Sequence, residues 1–193
     1  DSVSNMCDRA HMAKDYIEDE YVQPYAIFDQ KMGNSYMERN DALRDISNAL
    51  EKHEFQVYYQ PVYDAFSGEI ASAEALVRWK KADGEMVSPG IFVPALEDSG
   101  RISQMDLFVE RSVLSFMEER YKKGQFIVPV SMNMSQMDFF DKDMMASVLL
   151  DVSNTDLPMD YTRFEVTETA YSTVASNNRN VLLDMKRIGV KFY

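Results

Sequence analysis

A carboxylate stands inside an otherwise apolar run at Ala73-Glu74-Ala75-Leu76-Val77-Arg78-Trp79. Side chains alternate along a strand. Glu74 and Arg78 therefore share a face with Ser72 and Leu76, and Ala73, Ala75, Val77 and Trp79 share the other. The second face reads as a packing surface. The first aims a carboxylate and a guanidinium the same way, and burying such charges is costly unless they are paired, hydrogen-bonded or bound to a metal. A structural Glu74–Arg78 ion pair and a functional site both meet that condition.

The same alternation gathers polar groups from other strand-like segments. The run from Phe55 contributes Gln56, Tyr58 and Gln60; the run from Ile127 contributes Ser131 and Asn133; the run from Arg163 contributes Glu165 and Thr167. Two carboxylates and an amide oxygen on neighbouring strands make a hard, oxygen-rich site, suited to Mg²⁺ or Mn²⁺ rather than zinc. His11 and His53 lie far from these strands, so the serines have no imidazole to activate them. The sequence contains neither a Cys/His cluster nor a glycine-rich phosphate loop.

The elements that must position these groups alternate between strands and helices. Strands are expected at about 55–61, 72–79, 127–133, 163–167 and 190–193. Asn40 or Asp41 can cap a helix carrying Leu43, Ile46 and Leu50. Ser103 with Asp106 three residues on reads as a capping box, opening a helix with Ile102, Met105, Val109, Val113, Phe116 and Met117 on one side and a stop at Gly124. Further helices are expected over Met144 to Val152 and through Val174, Val181, Leu182, Met185 and Ile188. This order predicts a parallel sheet with helices outside it. The leading piece holds a charged helical pattern to about Glu20, a strand-like Tyr25–Phe28 and a connection at Gly33-Asn34-Ser35. It is too short for a core of its own.

Composition narrows the function classes. Of the 193 residues 46 % are hydrophobic, enough to build a core, and the 14 methionines suit core gaps. The net charge of −12 argues against a general nucleic-acid surface and requires cations, metal or arginine, beside any phosphate ligand. A single cysteine, Cys7, excludes an internal disulfide and fits a reducing cytoplasm. No apolar run is long enough to span a bilayer, so no membrane contact is expected of this segment.

Taken in order, the motifs resemble the EAL domain, the cyclic di-GMP phosphodiesterase family. They are Tyr59-Gln60-Pro61, Glu74-Ala75-Leu76-Val77-Arg78-Trp79, the stretch from Pro89 to Ile102 with Phe92-Val93-Pro94, Asn133-Met134-Ser135, and Glu165-Val166-Thr167-Glu168. Residues 1–39, through Cys7-Asp8-Arg9-Ala10, are similar to the end of a GGDEF domain with a linker. Residues 40–193 resemble the N-terminal portion of an EAL domain.

The resemblance implies a (β/α)8 TIM-like barrel with an antiparallel first strand, of which about five strands lie in this chain. It implies hydrolysis of cyclic di-GMP to the linear dinucleotide in bacterial second-messenger signalling, with cyclic di-GMP as the partner and a homodimer left open. Glu74, Asn133 and Glu165 match metal-ligand positions, with Glu74 and Glu165 in the catalytic centre. Gln60 and Arg78 match positions that contact the dinucleotide. Glu168 matches a carboxylate that holds the loop after its strand. Gln60 as a partner of barrel backbone and Glu168 as a helix N-terminal carboxylate are the structural alternatives. The family's Asp-Asp-Phe-Gly motif, catalytic lysine and last glutamate would follow Tyr193, so the 193 residues alone are expected to be inactive. A receptor that binds cyclic di-GMP without hydrolysing it, and a protein-interaction module, remain alternatives.

Overall fold

The computed structural model describes residues 2–17, 23–166, 183, 186 and 191–192. Strands β1 (Phe55–Tyr63), β2 (Ile70–Lys80), β4 (Val130–Asn133), β5 (Thr162–Glu165) and β6 (Lys191–Phe192) form one sheet in that order, and the short β3 (Met86–Val87) pairs beside β2. β1 is antiparallel to β2, whereas β2, β4, β5 and β6 run parallel. The expected strand order and the reversed first strand are both present. β4 starts later than expected, at Val130. The preceding Pro129 has no N–H to give a ladder, and only its carbonyl joins, accepting from Ala73 N at 2.9 Å.

The turn between β1 and β2 is closed by Asp64, whose Oδ1 accepts from the backbone N–H groups of Phe66 and Ser67. Those bonds hold the Asp64 carboxyl below the usual carboxylate range. Gly68 completes the turn at φ +72°, a conformation that glycine adopts without strain.

Helices α3 (Pro89–Asp98) and α4 (Ile102–Lys122) carry the chain from β3 to β4, and α5 (Lys142–Asn154) carries it from β4 to β5. One core lies between the sheet and α4 and α5. It holds Ala73, Ala75, Val113, Met117, Val130, Met132, Val148 and Phe164. The register aligns Ala73 with Val130 and Thr162, and Ala75 with Met132 and Phe164. The apolar side of the alternation is therefore the helix-covered side. A second core joins Phe55, Trp79 and Phe92 to Ile46, Leu96 and Met105. Trp79 is fully buried there, 5.2 Å from the Phe55 ring and 5.9 Å from Phe92, and its indole N–H donates to Glu54 Oε2 at 3.0 Å.

Several local expectations are overturned. Tyr25–Phe28 pairs with no strand. The helix expected near Asn40 begins at Gln30 and runs to Glu51 as α2, capped by Asp29, whose carboxylate accepts from Met32 N at 2.8 Å. Gly33 is therefore a helix residue, not part of a connection. A Cβ there would stand 3.1 Å from the Phe28 ring, so glycine admits that ring against the first turn. Helix α1 (Val3–Asp15) precedes this segment. Of the helix expected through Val174 to Ile188, Leu183 and Lys186 are described and are helical; the other positions, and Thr167, fall outside the described residues.

Glu110 on α4 is the least expected member of the core. It is 2 % exposed, and neither carboxylate oxygen has a hydrogen-bond partner among the described residues. Burial, with Asp151 nearby, raises its pKa from 4.5 to about 8. The folded protein thus keeps a proton that the unfolded chain releases near pH 4.5, and stability falls as pH rises from there to about 8. Glu110→Leu should remove that fall. Urea unfolding is expected to show a gain of ~1–3 kcal/mol near pH 8 and much less near pH 4. An equal gain at both pH values would contradict the assignment.

Candidate active site

The face of the sheet away from the helices carries the polar residues. Antiparallel pairing sets Gln60 opposite Glu74, and parallel pairing sets Glu74 opposite Ser131 and Asn133 opposite Glu165. Glu74, Asn133 and Glu165 thus come from three adjacent strands. Asn133 Nδ2 donates to Glu74 Oε1 at 3.0 Å. The backbone beyond Asn133 is fixed as well, since Met134 N donates to the Glu165 carbonyl at 3.0 Å.

Glu74 and Arg78 do not pair. Four strand residues separate their Cα atoms by about 13 Å, and Arg78 Nη1 instead donates to the Val77 carbonyl at 2.9 Å. The structure therefore decides against the ion-pair reading of the Glu74 strand, and Glu74's partner is the Asn133 amide on the neighbouring strand β4. Gln60 is exposed and aligned with Glu74, and Arg78 is half-buried toward the C-terminal end of β2. Glu168 lies outside the described residues.

The donor set fits a hard divalent cation. Glu74 Oε2, Asn133 Oδ1 and the Glu165 carboxylate take no hydrogen bond among the described residues, so each keeps lone pairs for an ion. All are oxygens, as Mg²⁺ and Mn²⁺ prefer. No three His, Cys, Asp or Glu side chains gather among the described residues. An ion here would therefore need the Asn133 amide as well as the two carboxylates.

Sequence reading missed two groups beside these. Arg163 pairs in register with Ser131 and lies two residues before Glu165, so the alternation that selected Glu165 selects it too. Its guanidinium brings a cation to the polar face. The other group lies behind Asn133. Ser135 N donates to Asp138 Oδ2 at 2.9 Å and to Asp106 Oδ2 at 3.3 Å. The Ser103–Asp106 capping box is consequently not formed: α4 starts at Ile102 after Arg101 with no side-chain cap. Asp106 turns to Ser135, and Ser103 contributes a hydrogen bond to Asp138. A capping box does exist, at Ser135 and Asp138. Its spacing was visible in the sequence.

The EAL domain matches residues 43–193. An uncharacterized protein of Synechocystis is 26 % identical over 99 % of the chain, which spans 27 % of that protein. The bifunctional diguanylate cyclase/cyclic di-GMP phosphodiesterase MucR of Pseudomonas aeruginosa is 26 % identical over 94 % of the chain, which spans 26 % of MucR. The chain thus covers about a quarter of the curated relatives it matches. The solved PaMucR phosphodiesterase in complex with c-di-GMP superposes with a TM-score of 0.71 at 26 % identity, covering 79 % of this chain and 62 % of that one. No helix among the described residues is long and apolar enough to cross a membrane.

Proposed function

We propose, from the premise that this chain belongs to the EAL domain family, that the intact protein hydrolyses cyclic di-GMP to the linear dinucleotide with a divalent cation. The observation that carries the reading is the Glu74–Asn133 contact at 3.0 Å, with Glu165 in register beside Asn133.

In this reading Glu74, Asn133 and Glu165 hold Mg²⁺ or Mn²⁺. When bound, the cation supplies a lowered pKa for water and charge neutralisation at phosphate. Asn133 orients Glu74 through its amide N–H, leaving Oε2 directed by that bond. Arg78 breaks its contact with the Val77 carbonyl to meet a phosphate oxygen, where a fixed donor counts most as charge develops. Gln60, facing Glu74 across the hairpin, donates to or accepts from the dinucleotide. Water adds to phosphorus in line, the bond to one ribose oxygen breaks, and that oxygen leaves with a proton as the ring opens. Glu168 is proposed to hold the loop after its strand.

The test is the intact purified protein incubated with cyclic di-GMP and Mg²⁺ or Mn²⁺, with the linear product followed by chromatography. Metal-dependent product is expected. Tight binding with no product would instead make the protein a receptor, and no binding would leave an interaction module.

A further inference from the structure

We propose that Asp106 and Asp138 act as one hydrogen-bonded acid pair, and that this pair is the positioning device that sets Asn133 against Glu74. The proposal rests on the reading of Asn133 as part of the active site. It adds two residues, on α4 and on the short 3-10 helix Gln136–Phe140, that touch neither substrate nor ion.

Three successive backbone groups fix the end of β4. Asn133 is in register with Glu165, Met134 N is bound to the Glu165 carbonyl, and Ser135 N is bound to both Asp106 and Asp138. The last is the only one of the three that ties the strand end to the helix layer. Asp138 is fully buried, and its Oδ2 and Asp106 Oδ2 converge on one N–H, that of Ser135, at 2.9 and 3.3 Å. Two ionised carboxylates brought together away from water repel and have no proton to donate to each other, so the pair calls for a proton between them.

The surroundings place it on Asp106. Burial, then the Asp138 charge, raise Asp106 to about 9, with Glu97 of α3 adding to the rise and the Ser135 N–H opposing it. Asp138 is raised by burial, with Asp141 adding; Asp106, Ser103 and Ser135 oppose that rise by hydrogen bonding to it. At neutral pH Asp106 therefore keeps its proton beside Asp138, and both carboxyls accept from Ser135 N. Loss of the shared proton would set two like charges in contact away from water, which drives the carboxyls apart. The Ser135 backbone, two residues from Asn133, would follow one of them.

Three variants of the intact protein test this, with Mg²⁺ titrated alone as the probe. Asp106→Ala should weaken Mg²⁺ binding by about tenfold, as loss of an outer support of a metal ligand typically does. Asp106→Asn replaces the shared proton with a permanent amide donor. It should restore wild-type affinity and abolish the weakening that the wild type shows as pH rises through about 9. Infrared spectra near neutral pH, taken in a Glu110→Gln background to remove the other protonated carboxyl, should show an acid carbonyl band that Asp106→Asn removes. Absence of that band overturns the acid pair. A band with unchanged Mg²⁺ affinity in Asp106→Ala overturns its positioning role while leaving the proposed function standing. Failure of the wild type to bind Mg²⁺ at all overturns the proposed function and the positioning role together.

Discussion

Turnover of cyclic di-GMP by the intact protein is expected to fall by about 10²-fold or more in Glu74→Ala, the scale on which one electrostatic stabiliser at a reacting centre acts. The loss has two parts. One proposed oxygen ligand and its charge disappear from a site with few donors among the described residues. The Asn133 amide also loses the acceptor that orients it at 3.0 Å. Saturating metal should not restore the rate, because both geometry and charge are gone. Arg78→Ala provides the contrast. In the proposed mechanism its guanidinium meets the substrate, so KM should rise more than kcat falls. Linear product formed by Glu74→Ala at a near-wild-type rate in saturating Mn²⁺ would refute the mechanism.

Trp79→Ala is expected to cost ~3–5 kcal/mol of stability, as truncation of a fully buried large aromatic does. The indole fills the space between Phe55 and Phe92 and donates to Glu54. Removing it leaves a cavity and an acceptor without its donor. Net stabilities of domains are only ~5–15 kcal/mol, so the variant should be partly unfolded in mild urea. Trp79→Phe keeps most of the volume and should lose much less. Circular dichroism during urea unfolding measures both, since the chain's one tryptophan is the residue removed. A loss under about 1 kcal/mol in Trp79→Ala would show that this core collapses around the gap.

Alternation made the sheet legible. Ala73, Ala75 and Trp79 read as one face and are buried on one face. Glu74, Asn133 and Glu165 read as the other and share it in the structure. What escaped were decisions made by distant residues. Ser103 and Asp106 have the spacing of a local cap, but Asp138 and the Ser135 N–H, some thirty positions away in sequence, are the partners they meet. Gly33 reads as a break because glycine weakens helices, yet the Phe28 ring needs that missing side chain. Glu110 gave no polar signal of its own. It sits between Val109 and Val113 within the apolar stripe of α4, where its charge implies a proton rather than solvent. Arg163 was available to the same alternation that found Glu165.

Assembly order follows from where the strands lie along the chain. β1 and β2 are joined by a tight turn, and hairpins of this kind close in ~1–10 μs. The parallel pairing of β2 with β4 spans roughly 50 intervening residues and two helices, and the entropy of closing so long a loop has to be met before any contact rewards it. Glu74 therefore reaches its final strand early, while Asn133 arrives only after α3 and α4 have docked. On the ribosome, a nascent chain that has not yet emerged as far as Asn133 displays Glu74 on a completed hairpin with nothing to orient it.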